Sequence, residues 1–254
     1  MSISHAINAA QSGLKVSGLR ADIVATNVAN ASTPGYVRRS VLLGETLVGG
    51  RTSGVTATGV TRSADAALTA ERRTLSSDVA QASLMSSTWQ VLSSRLGDDA
   101  EGTGLFSKFS KFEAALSASV TSPESGTQLA ALLDSANAVV TELNSLSKLV
   151  SQQRSEADRE IADGVKVVNK ALKQIEELNG LLVGVDGSTS QAAALMDERQ
   201  RTLDTIAEYL PIEVVPREGG AIDIITVEGV YLVAGKAKQL EFSPANSLGA
   251  DMNL

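Results

Sequence analysis

Apolar residues in the first thirty positions recur on a helical period. Ile3, Ile7, Ala10, Leu14, Ala21, Val24 and Val28 follow alternating steps of four and three, broken only at Ser17. This seven-residue repeat predicts an amphipathic helix with a continuous apolar seam. A second row, Val16, Leu19 and Ile23, widens the apolar face, while Gln11, Lys15, Arg20, Asp22 and Asn27 form the polar side. Taken alone, this is a helix folded onto its own domain. It should stop near Asn30, because Pro34 lacks a backbone donor and pushes Thr33 out of the α region. Pro34-Gly35 fits the centre of a type II turn, after which the chain should run extended through residues 37–41.

Residues 44–62 carry five of the chain's 21 glycines and several threonines, with Val55 and Val60 between them. Short strands or an extended connecting arm would show that pattern. Helical spacing returns at residues 63–97, with Leu68, Leu75, Val79, Ala82, Met85, Trp89, Leu92 and Leu96 in series. Trp89, the sole tryptophan, reads as a core anchor, and Gly97 as the stop. Leu105, Phe109, Phe112 and Leu116 mark a shorter helix; Ser122-Pro123-Glu124-Ser125 should open the next, with proline in its first turn.

From about 124 to 182 the apolar series hardly breaks, running from Leu132 and Val139 through Val168, Leu172, Ile175 and Leu182. At 1.5 Å per residue that predicts a rod of roughly 85 Å, whose most polar stretch, Ser151 to Asp158, is the place for a bend or break. Residues 184–190 are a loop, and 192–209 a helix with Leu195, Arg199, Leu203 and Ile206 in series. The period then shortens to that of strands at 212–215, 222–225 and 230–233, a small β-meander. The expected fold is mainly α: an elongated long-helix bundle or coiled coil with a Gly/Thr-rich extended arm and a small C-terminal antiparallel β-meander. Its divisions are 1–36 (helix and turn), 37–62 (arm), 63–210 (helical rod), 211–243 (meander) and 244–254 (tail or linker).

Composition narrows the chemistry. The 254 residues include no cysteine and one histidine, His5, with aromatics at only 3%. Disulfides, thiolate metal sites and thiol catalysis are excluded, and His-based metal or nucleophile schemes are weakened. The net charge of −7 argues against nucleic acid as a partner. No apolar run approaches the roughly 20 residues of a membrane span, so no membrane insertion is expected. MSISHAINAAQSG shows no cleavable secretory signal. Asp197-Glu198-Arg199 point in different directions on a helix and read as a salt-bridged solvated face. Asp98-Asp99 with Glu101 lacks calcium-loop spacing, and Gly49-Gly50 with Gly54 lacks the Gly-Lys-Ser/Thr of a phosphate loop. No catalytic, cofactor-binding or metal-binding set emerges.

The segment Asn27-Val28-Ala29-Asn30-Ala31-Ser32-Thr33-Pro34-Gly35-Tyr36 resembles the N-terminal signature of the bacterial flagellar axial superfamily of rod, hook and hook-associated proteins. Within it, GVTATGVTRSADAAL at 54–68, with Arg62 and Asp65, resembles the hook-associated protein 1 family. So does LMDERQRTL at 195–203. There Asp197 and Arg199 match the family's Asp-x-Arg-Asp-x-Leu helix, Gln200 replaces its second Asp, and the Leu stands at Leu203. The family's C-terminal helix, which pairs with the N-terminal one, is not found in these residues.

The resemblance implies a structural subunit, not an enzyme. It would join hook to filament and self-associate into a helical tube beside hook protein and a second junction protein. It would leave the cell through the flagellar type III export apparatus without a cleaved signal and reside in the extracellular flagellum. Export-chaperone binding belongs to the family's C-terminal region and is not carried over. The expected subunit interface is Ile3, Ile7, Ala10, Leu14, Val16, Leu19, Ile23, Val24 and Val28. The family-motif turn is Asn27, Asn30, Thr33, Pro34, Gly35 and Tyr36; Arg62, Asp65, Asp197, Arg199 and Leu203 are family-motif structural positions. Burying the apolar stripe between subunits would contribute on the order of 10 kcal/mol gross, enough for a segment disordered in the monomer and helical in the assembly. A hook or rod subunit, and a cytoplasmic helical adaptor or coiled coil, are the alternatives.

Overall fold

The computed structural model describes residues 3–48, 51–97 and 102–245. The Asp98-Asp99-Glu101 cluster, the Gly49-Gly50 pair and the last nine residues of the tail lie outside the described residues. The chain forms two compact units, Met1–Asp78 with Lys166–Leu240, and Val79–Val165 with Glu241–Leu254.

The first unit opens with α1, Ile3–Ala29. It is followed by an antiparallel hairpin, β1 (Arg39–Val48) and β2 (Arg51–Arg62). The Gly/Thr-rich arm is therefore a paired ribbon. Its register shifts twice, between Leu42 and Leu43 and between Thr46 and Leu47. At each shift the last partner before the bulge is a β2 glycine, Gly59 or Gly54, where missing side chains let the ribbon bend. Gly54, at φ 145°, also admits α1: a Cβ there would stand 2.3 Å from Ser12 Oγ and 3.4 Å from the Ala9 backbone.

The hairpin selects which side of α1 it covers. Val16 and Ile23 are buried, with half-buried Ser12 and Asn27 extending the same row. Val55 N–H donates to Ser12 Oγ at 3.1 Å. Two readings change here. Val16 and Ile23, expected at a subunit interface, are covered by the chain's own ribbon, and Asn27 belongs to that covered row instead of the solvated side. The reason is spacing: 12, 16, 23 and 27 share one helix face, and a ribbon buries such a row when polar groups at its ends meet strand backbone.

The later part of α4 (Gly126–Val183) enters this unit with α5 (Ser190–Ala207). They pack against a four-stranded antiparallel sheet of β3 (Ile212–Pro216), β4 (Ile222–Thr226), β5 (Tyr231–Ala234) and β6 (Lys236–Ala237), in that order. Val168, Leu172 and Ile175 of α4, Leu203 and Ile206 of α5, and Ile224, Leu232 and Val233 of the sheet form the core. Helix-borne amides tie the sheet's backbone to α4. Asn179 accepts from Ile222 N–H (3.1 Å) and donates to its carbonyl (2.8 Å); Asn169 does the same to Leu240, at 2.8 Å each way. Asn179 thus takes the place of one residue of a neighbouring strand beside β4, and Asn169 holds the segment that follows β6. Glu176 accepts from Ala237 N–H at 2.8 Å.

In the second unit, α2 (Ala66–Leu96, begun in the first unit) ends at Gly97 with φ 71°. α3 spans Gly104–Thr121. Leu105 and Val139 are buried, and Lys108 pairs with Glu142. α4 begins at Gly126, with Ser125 Oγ accepting from Gln128 N–H at 3.4 Å. Pro123 and Glu124 therefore lie in the preceding turn, not in the first helical turn as expected. Ser151 to Asp158 is helical throughout. Trp89 is 63% exposed and so is no core anchor; Val79 and Met85 of the same seam are exposed too. A heptad series reports that a face suits burial, not what buries it.

Candidate functional site

Two features of the first unit stand out: an uncovered apolar seam on α1, and a charged junction where helix, turn, hairpin and α5 converge. The seam comes straight from the helical repeat. Ile3 (80% exposed), Ile7, Leu14 (75%), Val24 and Val28 (71%) project from α1. Ala10 is exposed as well, and Leu19 sits at the rim. Single exposed apolar residues are ordinary, but five large ones on a repeating helical row are a contact surface without its contact.

The junction begins at the end of α1. Asn30 Nδ2 donates to the Thr26 carbonyl at 3.0 Å, and Thr33 Oγ1 donates to Asn30 Oδ1 at 3.3 Å. Tyr36 N–H donates to the Thr33 carbonyl at 3.1 Å, closing a turn around Pro34 and Gly35. Gly35 has φ 75°. A Cβ there would meet Arg201 Cγ of α5 at 2.4 Å, so glycine is demanded twice, by its torsion and by its neighbour. Gly35→Ala is expected to lower stability by about 1–3 kcal/mol, read as a lower denaturation midpoint; a wild-type midpoint would contradict the close packing.

Asn27 then pins the hairpin. It accepts from Arg39 N–H and donates to the Arg39 carbonyl, both at 2.9 Å, and accepts from Tyr36 Oη at 2.8 Å. The Arg39 guanidinium stacks over the Tyr36 ring, 5.0 Å from its centroid. Arg39 pairs in register with Arg62 at the hairpin's open end. Both reach Asp197 of α5: Arg39 Nη2 to Oδ2 at 2.7 Å, Arg62 Nη2 and Nε to Oδ1 at 2.6 and 2.9 Å. Asp197 is 2% exposed. It is therefore a buried keystone, which corrects the expectation of a solvated salt-bridged face around it.

Arg199 points elsewhere, donating to Asn179 Oδ1 (3.1 Å) and the Gly220 carbonyl (2.7 Å). Burial, with Arg62's charge second, holds its pKa down at about 10, so it remains a cation at neutral pH. Arg73 of α2 is likewise lowered by burial, offset by Asp204, to which its Nε donates at 3.3 Å. Gln200 accepts from Arg73 Nη2 at 3.0 Å and donates to Asp204 at 2.9 Å. Asp65 caps α2 by accepting from Leu68 N–H at 3.0 Å, and Leu203 lies in the core. The motif residues thus divide: Asn27, Gly35, Tyr36, Arg62 and Asp197 converge on one junction, while Asp65, Arg199 and Leu203 serve other contacts. Sequence reading passed over Ser12, Arg39, Asn179 and Arg201; pairing the arm as a hairpin would have placed Arg39 opposite Arg62.

Among the described residues no group of three or more acidic or histidine side chains could hold a metal ion, and no helix is long and apolar enough to cross a membrane. What the geometry offers is attachment: a rigid turn and clamp behind an exposed helical seam. The family model described as Flagellar hook-associated protein FlgK helical domain matches residues 90–253.

The chain belongs to the FlgK family.

A second model, Flagella basal body rod protein, matches residues 7–36, the seam and turn. Flagellar hook-associated protein 1 of Salmonella typhimurium is 25% identical over 253 residues, covering 96% of this chain and 45% of its own length. Its namesake from Escherichia coli K12 is 24% identical over 96% of this chain and 46% of its own. The chain thus spans about half the length of the curated relatives it matches. The solved structure of the flagellar hook junction protein FlgK from Burkholderia pseudomallei shares the fold, with TM-score 0.57 and 18% identity, over 68% of this chain and 30% of that one. FlgK relatives are structural proteins of the flagellum.

Proposed function

We propose that this chain is the N-terminal portion of a structural subunit of the bacterial flagellar axis, at the junction of hook and filament, without enzymatic activity. The observation that carries this reading is the exposed α1 seam of Ile3, Ile7, Leu14, Val24 and Val28. Neighbouring copies bury it, and a head-to-tail contact that does not close generates a helical tube. Hook protein lies on one side and the second junction protein on the other, after passage through the type III export apparatus to the cell exterior. Residues 1–36 are the axial segment, 37–62 its connector, 63–210 the helical rod, 211–243 the meander and 244–254 a tail or linker. Membership of the FlgK family and the names of its relatives support the assignment.

Leu14→Asp tests it. The variant is expected to abolish incorporation into flagella and motility, while purified protein keeps its far-UV circular dichroism within a few per cent. Normal motility would overturn the reading. Loss of fold would show that the seam serves the chain's interior.

A further inference from the structure

The Asp197 junction carries more than attachment. Arg39 and Arg62 face each other at the open end of the hairpin. Arg39's N–H and carbonyl turn outward to Asn27, so the two arginines occupy a non-hydrogen-bonded pair, the arrangement in which cross-strand side chains stand closest. Like charges so placed oppose pairing. Val60 confirms the phase: its N–H also turns outward, to the Ser188 carbonyl at 2.5 Å. Between them, Ser40 and Thr61 form the hydrogen-bonded pair that must close if the ribbon is to zip to its base.

The carboxylate that meets this pair is Asp197, which lies 158 residues beyond Arg39 and 135 beyond Arg62. It engages both arginines with separate oxygens in a nearly dry setting. In that setting an uncompensated charge costs several kcal/mol.

We propose that the Arg39–Asp197–Arg62 triad is a latch that makes closure of the hairpin base conditional on the docking of α5. A chain whose α5 has not yet docked holds residues 36–43 and 57–63 open, because its own arginines repel. Docking reverses the sign of the local interaction, zips Ser40 to Thr61, and fixes the Pro34-Gly35 turn against Arg201. The arm that carries α1 thus takes its direction only after α5 has docked. This holds whether or not the chain serves in a flagellum.

Amide hydrogen exchange on the whole chain tests the latch. Asp197→Asn is expected to speed exchange at Ser40 and Thr61 by roughly 100-fold or more, while β4 and β5 amides keep wild-type protection. Adding Arg62→Gln to Asp197→Asn removes the repulsion and is expected to restore most of the lost protection. Unchanged exchange at Ser40 and Thr61 in Asp197→Asn would overturn the proposal. So would equal loss throughout the sheet and α4, which would make Asp197 a general stabilising residue. Failure of the double variant to regain protection would also overturn it, since repulsion would then not be the cause.

Discussion

Ile224→Ala is expected to cost the first unit about 2–5 kcal/mol, the range for emptying a fully buried aliphatic site. Ile224 has no solvent exposure and lies where β4 meets Leu172 and Ile175 of α4 and Ile206 of α5. These three neighbours, on two helices, are themselves fully buried, so little can collapse into the space. Urea denaturation followed by circular dichroism gives the midpoint shift, and hydrogen exchange in β4 and β5 locates it. A loss below about 1 kcal/mol would mean that the core relaxes around the cavity, contrary to packing at ordinary interior density. Ile224→Val, which removes one methylene, is expected to cost about 0.5–1.5 kcal/mol.

Asn179→Ala is expected to cost about 2–4 kcal/mol although it removes no apolar contact of comparable size. The Asn179 amide satisfies both backbone groups of Ile222 and accepts from Arg199. Alanine would leave a buried N–H, a buried carbonyl and part of a half-buried guanidinium without partners, at about 1–3 kcal/mol for each orphaned group, with relaxation recovering some of it. Asn169→Ala is the control. Its amide makes the same two-way contact with Leu240 in a less buried position, so water can replace it and the cost should be near 1 kcal/mol. Equal losses from the two variants would show that burial does not set the price. The readout is again the denaturation midpoint.

These expectations show which parts of the molecule were legible from the chain. Periodicity located α1, the long α4 and the strands of the meander, because aliphatic spacing is set by helix and strand geometry. Pro34-Gly35 announced its turn, since only glycine takes φ 75° there without strain. Burial partners were not legible. Val16 and Ile23 read as part of one wide apolar face, yet the hairpin splits that face into a covered row and an open one. Trp89 is large and apolar, but that carries no information about what lies opposite it. Asp197 was misread because its two cations stand more than a hundred positions upstream; only the register of the hairpin brings them side by side. Arg39 was passed over for the same reason, as one of two adjacent arginines in an extended stretch.

The contact between α1 and the ribbon is also a matter of length. Ser12 meets Val55 near one end, and Asn27 meets Arg39, opposite Arg62, at the other. Fifteen helical steps span about 22 Å, and the strand from Val55 to Arg62, with one residue taken up by the bulge at Thr58, spans about 20 Å. Helix and strand thus act as two scales of a vernier, one graduated roughly twice as finely as the other. A single-residue insertion in either scale would spoil the match at one end, and in the helix it would also swing the outer seam by about 100°. Two helical residues gained with one strand residue would restore the span but not the bearing of the seam. A lone insertion or deletion here is therefore expected to disturb the molecule more than a substitution, because it changes a length that two elements share.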